Sequence, residues 1–281
     1  MLLGLSGLVS AASAPESFVV GAARVTALQD MPGEMKVSIF KGASEEQMKA
    51  LAPSGTVPAG VTVFLIQSGG RNLLVDTGYG ADAPDRKSAL PELMRKLGLE
   101  PESIDAVLLT HMHGDHIGGL VRNGKPVFAK ADVLVGRIEL EYWTTDKTLR
   151  ERERNAAMAR EVVAAYGNKL KTFEFGETVA PGITAMAGIG HTPGHTLFTL
   201  SSEGGKMLFW GDLVHGAALQ FPLPELCATY DMDMEKAVET RRTIFAFAAD
   251  GKIPVAGAHL PFPAIGRVAR SGEGFVFQTG I

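Results

Sequence analysis

IDAVLLTHMHGDHIGG, residues 104–119, is the stretch that decides how this chain is read. Its first part, residues 104–110, is rich in branched aliphatics, the mark of a buried strand. Its second part places His111, His113, Asp115 and His116 within six positions and closes on Gly118-Gly119. In extended chain, residues i and i+2 point to one side, so His111 and His113 can reach one metal ion from the strand end. Gly114 permits a bend, beyond which Asp115 and His116 can reach a second ion. A lone histidine is more often a satisfied core or surface group than a ligand. Three imidazoles and a carboxylate in one loop gain nothing from packing, because each would need its own buried partner. They read as metal ligands, in a combination that suits zinc, iron or manganese.

Two ions need more donors than this loop supplies. His195 lies in HTPGHT, residues 191–196; Asp212 closes the apolar run 206–210; and His259 follows the run 253–256. Each sits at a predicted turn or strand end, where sites on a rigid sheet are usually built. His191, His215 and His259, taken singly, would each pass for ordinary histidines.

The flanking sequence predicts an α/β chain. Residues 18–28 read as a strand, 31–60 as loops with one helical turn, and 61–67 with 72–76 as a hairpin joined by Ser68-Gly69-Gly70-Arg71. Leu90, Leu93, Met94 and Leu97 give helical spacing over 88–97, with Gly98 as a stop. Residues 127–135 predict a strand and 137–166 a charged helix. In that helix the run Arg150-Glu151-Arg152-Glu153-Arg154 reads as a solvated face with i,i+4 pairs. Short strands follow at 172–175, 183–187, 197–201, 206–210 and 253–256, with a helix over 234–249. The pattern implies two stacked sheets flanked by helices, in one domain spanning 18–281.

Of 281 residues, 46% are hydrophobic and 21% charged, enough for a sizeable core, and the net charge is −4. Without a basic surplus, nucleic acid is not the expected partner; a small molecule is. The single cysteine, Cys227, excludes an intramolecular disulfide and a cysteine-rich zinc site, and reads as a small buried thiol. LLGLSGLVSAASA, residues 2–14, has the length of a signal-peptide core and ends in an A-x-A form, although no Lys or Arg follows Met1. The expectation is a signal peptide over 1–14 and a periplasmic or secreted protein, with a cytoplasmic one as the alternative. Nothing later is apolar enough for stable membrane insertion. The loop region 31–60 could pair two copies as a homodimer.

The HxHxDH loop, GHTPGHT, the GD after an apolar strand and the late AHLPFP occur in the order found in the metallo-β-lactamase superfamily, which this chain resembles over nearly the whole mature chain, from the hairpin strand NLLVDTG, residues 72–78, to the C-terminal region. GDLVHGAALQFP and AHLPFPAIG are most similar to its methyl parathion hydrolase branch, which includes lactone- and ester-cleaving members. The resemblance implies a four-layer αβ/βα sandwich with a dinuclear site at one edge of the sheets. It implies that His111, His113 and His195 hold one metal, that Asp115, His116 and His259 hold the other, and that Asp212 bridges them. His191 and Asp76 would stand behind the ligands and orient them. Zinc is the expected metal, with manganese, cobalt or iron as alternatives. Two metals about 4 Å apart can share and acidify a water, and Asp115 would orient it and carry its proton.

Departures narrow the field. The commonest zinc β-lactamases carry a cysteine where Asp212 stands, diiron flavoproteins carry a glutamate where His113 stands, and RNA-processing members are longer and more basic. The expected reaction is hydrolysis of an ester, lactone or phosphotriester. Its rivals are a glyoxalase II type thioesterase, a β-lactamase-like hydrolase, a mononuclear iron persulfide dioxygenase and a non-enzymatic metal sensor. Trp143 matches a family position at the substrate entrance, and with Phe221, Pro222 and Phe262 it predicts an apolar pocket. Ordinary core packing is the competing account of each aromatic. Residues 137–166 would form a lid, and His215, three residues after Asp212, could contact substrate.

Overall fold

The computed structural model describes residues 12–80 and 87–281. Residues 1–11 of the expected leader lie outside them. Two seven-stranded sheets form the frame. The first runs Glu16–Val20, Ala23–Met31, Val61–Ser68, Arg71–Val75, Ala106–Leu108, Asp132–Gly136 and Leu170–Phe173 in spatial order. Its first half is an antiparallel meander and its second half is parallel. The other sheet runs Thr178–Ala180, Ile183–Ala187, Thr196–Ser202, Gly205–Phe209, Val255–Ala256, Ile265–Ser271 and Gly274–Thr279.

Strand alternation sorts the core into layers. Phe64 and Ile66 face the second sheet and pack with Phe198, Leu200 and Phe209. Val63 and Leu65 point the other way, into a second cluster with Leu93, Met94, Ala159 and Val162 of the helices Leu90–Lys96 and Glu153–Tyr166. Successive side chains of a strand point to opposite faces, so one strand, apolar over residues 63–66, serves both clusters. The helix Met234–Asp250 covers the outer side of the second sheet and packs against Ile265–Ser271. The result is the helix–sheet–sheet–helix arrangement of the expected sandwich.

Several boundaries differ from the sequence expectation. The strand over 18–28 is a hairpin, turned at Gly21 with φ +59°, a backbone setting that glycine adopts without strain. The helix over 137–166 is three helices, Arg137–Thr144, Asp146–Glu151 and Glu153–Tyr166. Thr145 is extended and accepts a hydrogen bond from Thr148 N–H, capping the second of them. Arg152, at φ −139° and ψ 49°, interrupts the chain again. No helix among the described residues is long and apolar enough to cross a membrane.

Candidate metal centre

Most candidate ligands lie just beyond a strand, while Asp115 and His116 sit on the short helix Gly114–Ile117. His111 and His113 follow Ala106–Leu108, His191 follows Ile183–Ala187, Asp212 follows Gly205–Phe209, and His259 follows Val255–Ala256. The first of these strands belongs to one sheet and the rest to the other. Thr196 N–H donates to Thr110 O at 2.8 Å and ties the two sheets together directly beneath the site.

Two donor groups share one carboxylate. In the first, the His111 and His191 Nε2 atoms lie 3.0 and 2.9 Å from His113 Nδ1. Asp212 Oδ2 lies 3.3 Å from His191 Nε2 and 3.7 Å from His111 Nε2. In the second, His116 Nε2 is 3.1 Å from Asp212 Oδ1, and His259 Nε2 is 3.1 Å from Asp212 Oδ2. Asp115 Oδ2 stands 3.6 Å from His259 Nε2 and 3.9 Å from His116 Nε2. Donors around a tetrahedral zinc with bonds of about 2.1 Å are about 3.4 Å apart, close to these separations. His116 Nε2 and Asp212 Oδ1 are buried and face each other, yet neither makes a hydrogen bond. Buried polar atoms normally have partners, and a divalent cation in each group would supply them.

The far ring nitrogens are held in turn. His116 Nδ1 lies 2.8 Å from Asp76 Oδ2, and Asp76 itself accepts from the Thr110 N–H and hydroxyl. His191 Nδ1 lies 3.0 Å from Asp231 Oδ1, His259 Nδ1 2.7 Å from Gly60 O, and His111 Nδ1 3.1 Å from Thr110 Oγ1. Such contacts fix ring orientation and raise ligand basicity. Asp76, expected to orient a ligand histidine, lies against His116.

The third imidazole of the first group is that of His191, and this corrects the expectation for His195. Both ring nitrogens of His195 are committed elsewhere. Its Nδ1 pairs with Gly188 O at 2.9 Å, and its Nε2 accepts the Asp212 N–H at 3.1 Å. Burial brings its pKa down to about 3, so the ring stays neutral and can accept that bond. His195 positions the backbone of Asp212, and His191, expected behind the ligands, groups with His111, His113 and Asp212 as a candidate donor.

A cavity of about 450 Å³ opens above the cluster. Its wall is mixed, less apolar than the pocket expected: Met35 and the rings of Tyr79 and Tyr230 line it together with Arg152, Arg154 and Asn155, with His215 beside Asp212. Trp143 does not reach it. The indole is fully buried beneath His113, with ring centres 5.4 Å apart, and its Nε1–H donates to Glu139. Phe221 stacks on Phe245 and Phe277 in the core, and Phe262 packs against the inter-sheet core. Their shape and apolarity serve packing, the competing account. Part of the predicted lid, around residues 152–155, does border the cavity.

Glu139, Asp231 and Arg241 escaped the sequence reading. The Glu139 carboxylate is fully buried and accepts four bonds: Met112 N–H at 2.9 Å, Trp143 Nε1–H at 2.7 Å, Thr192 O–H at 2.7 Å and Gly194 N–H at 3.0 Å. It clamps the loop of His111 and His113 to the loop of His191. Arg241, also fully buried, donates to Leu213 O, Pro224 O and Leu226 O and pairs with Asp231 at 3.4 Å. In a sequence these residues are ordinary helix and loop charges, with no spacing that marks them.

Charge divides the imidazoles. Burial, then the neighbouring rings, pushes His111 and His113 well below the usual histidine range, so both are neutral donors. Burial also opposes a charge on His116 and His259, but nearby carboxylates, Asp212 foremost, outweigh it and raise both. Burial would raise Asp212, yet His116, His259 and His111 hold it well below the carboxylate range. Asp231 is held at about 2, where its bond to His191 overcomes burial.

With this donor set in place, comparison with known proteins decides the family. The sequence pattern of the metallo-beta-lactamase superfamily matches residues 56–250. The chain belongs to that superfamily. Among curated relatives, it is 32% identical over 179 residues to "Ribonuclease TTHA0252" of Thermus thermophilus, covering 61% of this chain and 39% of that protein. It is 26% identical over 179 residues to "N-acyl homoserine lactonase AiiA" of Bacillus thuringiensis subsp. kurstaki, covering 57% and 66%. Among solved structures, AidC, described as a dizinc quorum-quenching lactonase, superposes with TM-score 0.87 at 25% identity over 95% of this chain and 98% of that one. AbOPH, described as a hydrolase in the beta lactamase superfamily, does so with TM-score 0.87 at 29% identity and the same coverage. The chain spans 39% of the first of these curated relatives and 66% of the second, and it is a member of the superfamily with a His/Asp cluster suited to metal.

Proposed function

We propose that this enzyme hydrolyses small esters or lactones, phosphotriesters being a further substrate type, with two divalent ions held by His111, His113, His191 and Asp212 on one side and by Asp115, His116, His259 and Asp212 on the other. The observation that carries the proposal is the position of Asp212, whose carboxylate oxygens lie within 3.7 Å of donors in both groups. Zinc is the metal of choice, because imidazole and carboxylate donors at these separations suit it. The dizinc lactonase that superposes on the chain supports lactones as first substrates.

Bound there, two cations supply Lewis-acid activation of water and of the substrate's oxygen. The chain supplies position and proton handling. Asp212 holds the donor groups in register, with its backbone fixed by His195. Asp115 lines the cavity with its side chain 20% exposed, more open than Asp212 at 3%. It is placed to take a proton from the attacking water and return it to the leaving oxygen. His215, which burial keeps neutral, lies 3.2 Å from Asp212 Oδ2 and steadies that carboxylate from the cavity side.

Elemental analysis of protein purified without added metal, alongside Asp212→Ala, tests the centre. About two zinc equivalents, falling by at least one in the variant, are expected from a bridging carboxylate. A single iron unaffected by the substitution would refute the dinuclear reading. A panel of esters, lactones, phosphotriesters and a phosphodiester then assigns the scissile bond.

A further inference from the structure

Resting on that hydrolase reading, we infer that the substrate is an acidic ester or lactone, whose carboxylate, remote from the scissile bond, is recognised by Arg152 and Arg154. In a continuous helix, residues two apart point to different sides. Here the helix is interrupted at Arg152, between Asp146–Glu151 and Glu153–Tyr166, and both arginines line the cavity above the His/Asp cluster. The run 150–154 is therefore not simply the solvated helix face that its charge pattern predicts.

The two guanidinium groups have no carboxylate partner among the described residues. Four surface arginines are paired: Arg137 with Glu141 and Glu174, Arg160 with Asp146, Arg242 with Glu225, and Arg270 with Asp250; what sets Arg152 and Arg154 apart from the other unpaired ones is their place on the cavity wall. Arg160 lies on the same helix as Arg154 and takes up Asp146. Glu151 and Glu153 flank Arg152 in sequence and neither lines the cavity. Two cations with no carboxylate partner among the described residues, with Asn155 beside them, thus border a cavity whose own described carboxylates, Asp115 and Asp212, are committed to the cluster at its floor. A planar guanidinium matches a carboxylate with two parallel hydrogen bonds. A cavity of about 450 Å³ accommodates a half-ester of a short dicarboxylic acid with its acyl carbon at the floor and its free acid at the arginines.

The test compares two esters on the zinc-loaded enzyme, p-nitrophenyl hemiglutarate, which is anionic, and p-nitrophenyl pentanoate, which is neutral. The expected ratio of kcat/KM, anionic over neutral, is about tenfold, carried by KM and falling with added salt. In R152Q/R154Q the ratio should fall to near one, and in R152E/R154E it should invert. Both esters are measured on one preparation, so partial misfolding cancels from the ratio. A wild-type ratio of one or below, or a ratio unchanged in R152Q/R154Q, overturns the inference while leaving the hydrolase reading in place. If neither ester is cleaved, the hydrolase reading fails and calorimetry decides the arginine site separately. Glutarate should bind wild type about tenfold more tightly than butyrate, with the preference lost in R152Q/R154Q; an unchanged preference overturns it.

Discussion

Glu139→Gln should weaken both the fold and the metal centre, by amounts that follow from its four bonds. Oε1 accepts from Met112 N–H and Trp143 Nε1–H, and Oε2 accepts from Thr192 O–H and Gly194 N–H. A glutamine must place its NH₂ on one side. Toward Met112 and Trp143 it would meet two N–H donors that cannot reverse. Toward Thr192 the hydroxyl can turn and accept, and only the Gly194 N–H is left facing a donor. The second orientation therefore wins, and it leaves one buried N–H unpaired, which costs about 1–3 kcal/mol. The three surviving bonds lose the charge on the acceptor, and hydrogen bonds to charged groups exceed neutral ones by about 1 kcal/mol each at most. Together these give a loss of about 3 kcal/mol, or roughly 6–12 °C in Tm for a chain of this size. Denaturant unfolding of metal-free protein measures the stability term apart from metal linkage. Zinc affinity, read by competition with a chelator, should fall about 10- to 100-fold, because the carboxylate holds two ligand loops in register. Unchanged stability within about 0.5 kcal/mol, with zinc affinity also unchanged, would refute the clamp.

His191→Gln should lose about one zinc equivalent, whereas His195→Gln should retain both at reduced affinity and stability; elemental analysis of the pair separates ligand from support. Zinc uptake near neutral pH should release protons, because His116 and His259 are raised above 6.5 and must give up a proton to bind metal. By the same sign, the stability these two rings lend the metal-free fold is full below pH 6.5 and is lost as pH rises through their folded values, while zinc affinity climbs; calorimetry in buffers of different ionisation enthalpy and a pH series of unfolding curves read both. Gly211→Ala should cost about 3 kcal/mol in thermal unfolding and loosen the centre, from left-handed strain and overpacking together, since the backbone there has φ +51° and a Cβ would lie 2.7 Å from His195 Nε2 and 2.8 Å from Thr110 Cβ.

What the sequence makes legible is what short-range spacing encodes. The strand Ala106–Leu108 and the loop after it are read together because the ligands lie within six residues, and the hairpin Val61–Ser68 with Arg71–Val75 because its turn is Gly69-Gly70. The final hairpin, Ile265–Ser271 with Gly274–Thr279, goes unseen for a physical reason. Arg267, Val276 and Gln278 are exposed while Val268 and Phe275 are buried, so no sustained apolar run marks it. The breaks at Thr145 and Arg152 carry neither Gly nor Pro, and a charged, helix-favouring stretch gives no warning of them.

The exchange of His191 and His195 shows where spacing stops being informative. The two rings share a six-residue turn, and nothing local says which one faces the cluster. That choice is made by partners far along the chain: Asp231 takes the Nδ1 of His191, and the Asp212 N–H takes the Nε2 of His195. Asp231 in turn rests on Arg241, and the opposite flank of the same turn rests on Glu139 through Thr192 and Gly194. A metal centre needs ligands that are soft in sequence terms, visible as clustered His and Asp, and supports that are buried charges on ordinary helices. Only the fold pairs those charges, because an isolated buried charge costs several kcal/mol until its partner arrives from another element (about 3–5 when a partner is removed). The supports are therefore set by tertiary packing, and the proposed ligand assignment inherits that dependence: His191 faces the donor cluster because Asp231, backed by Arg241, holds its far ring nitrogen.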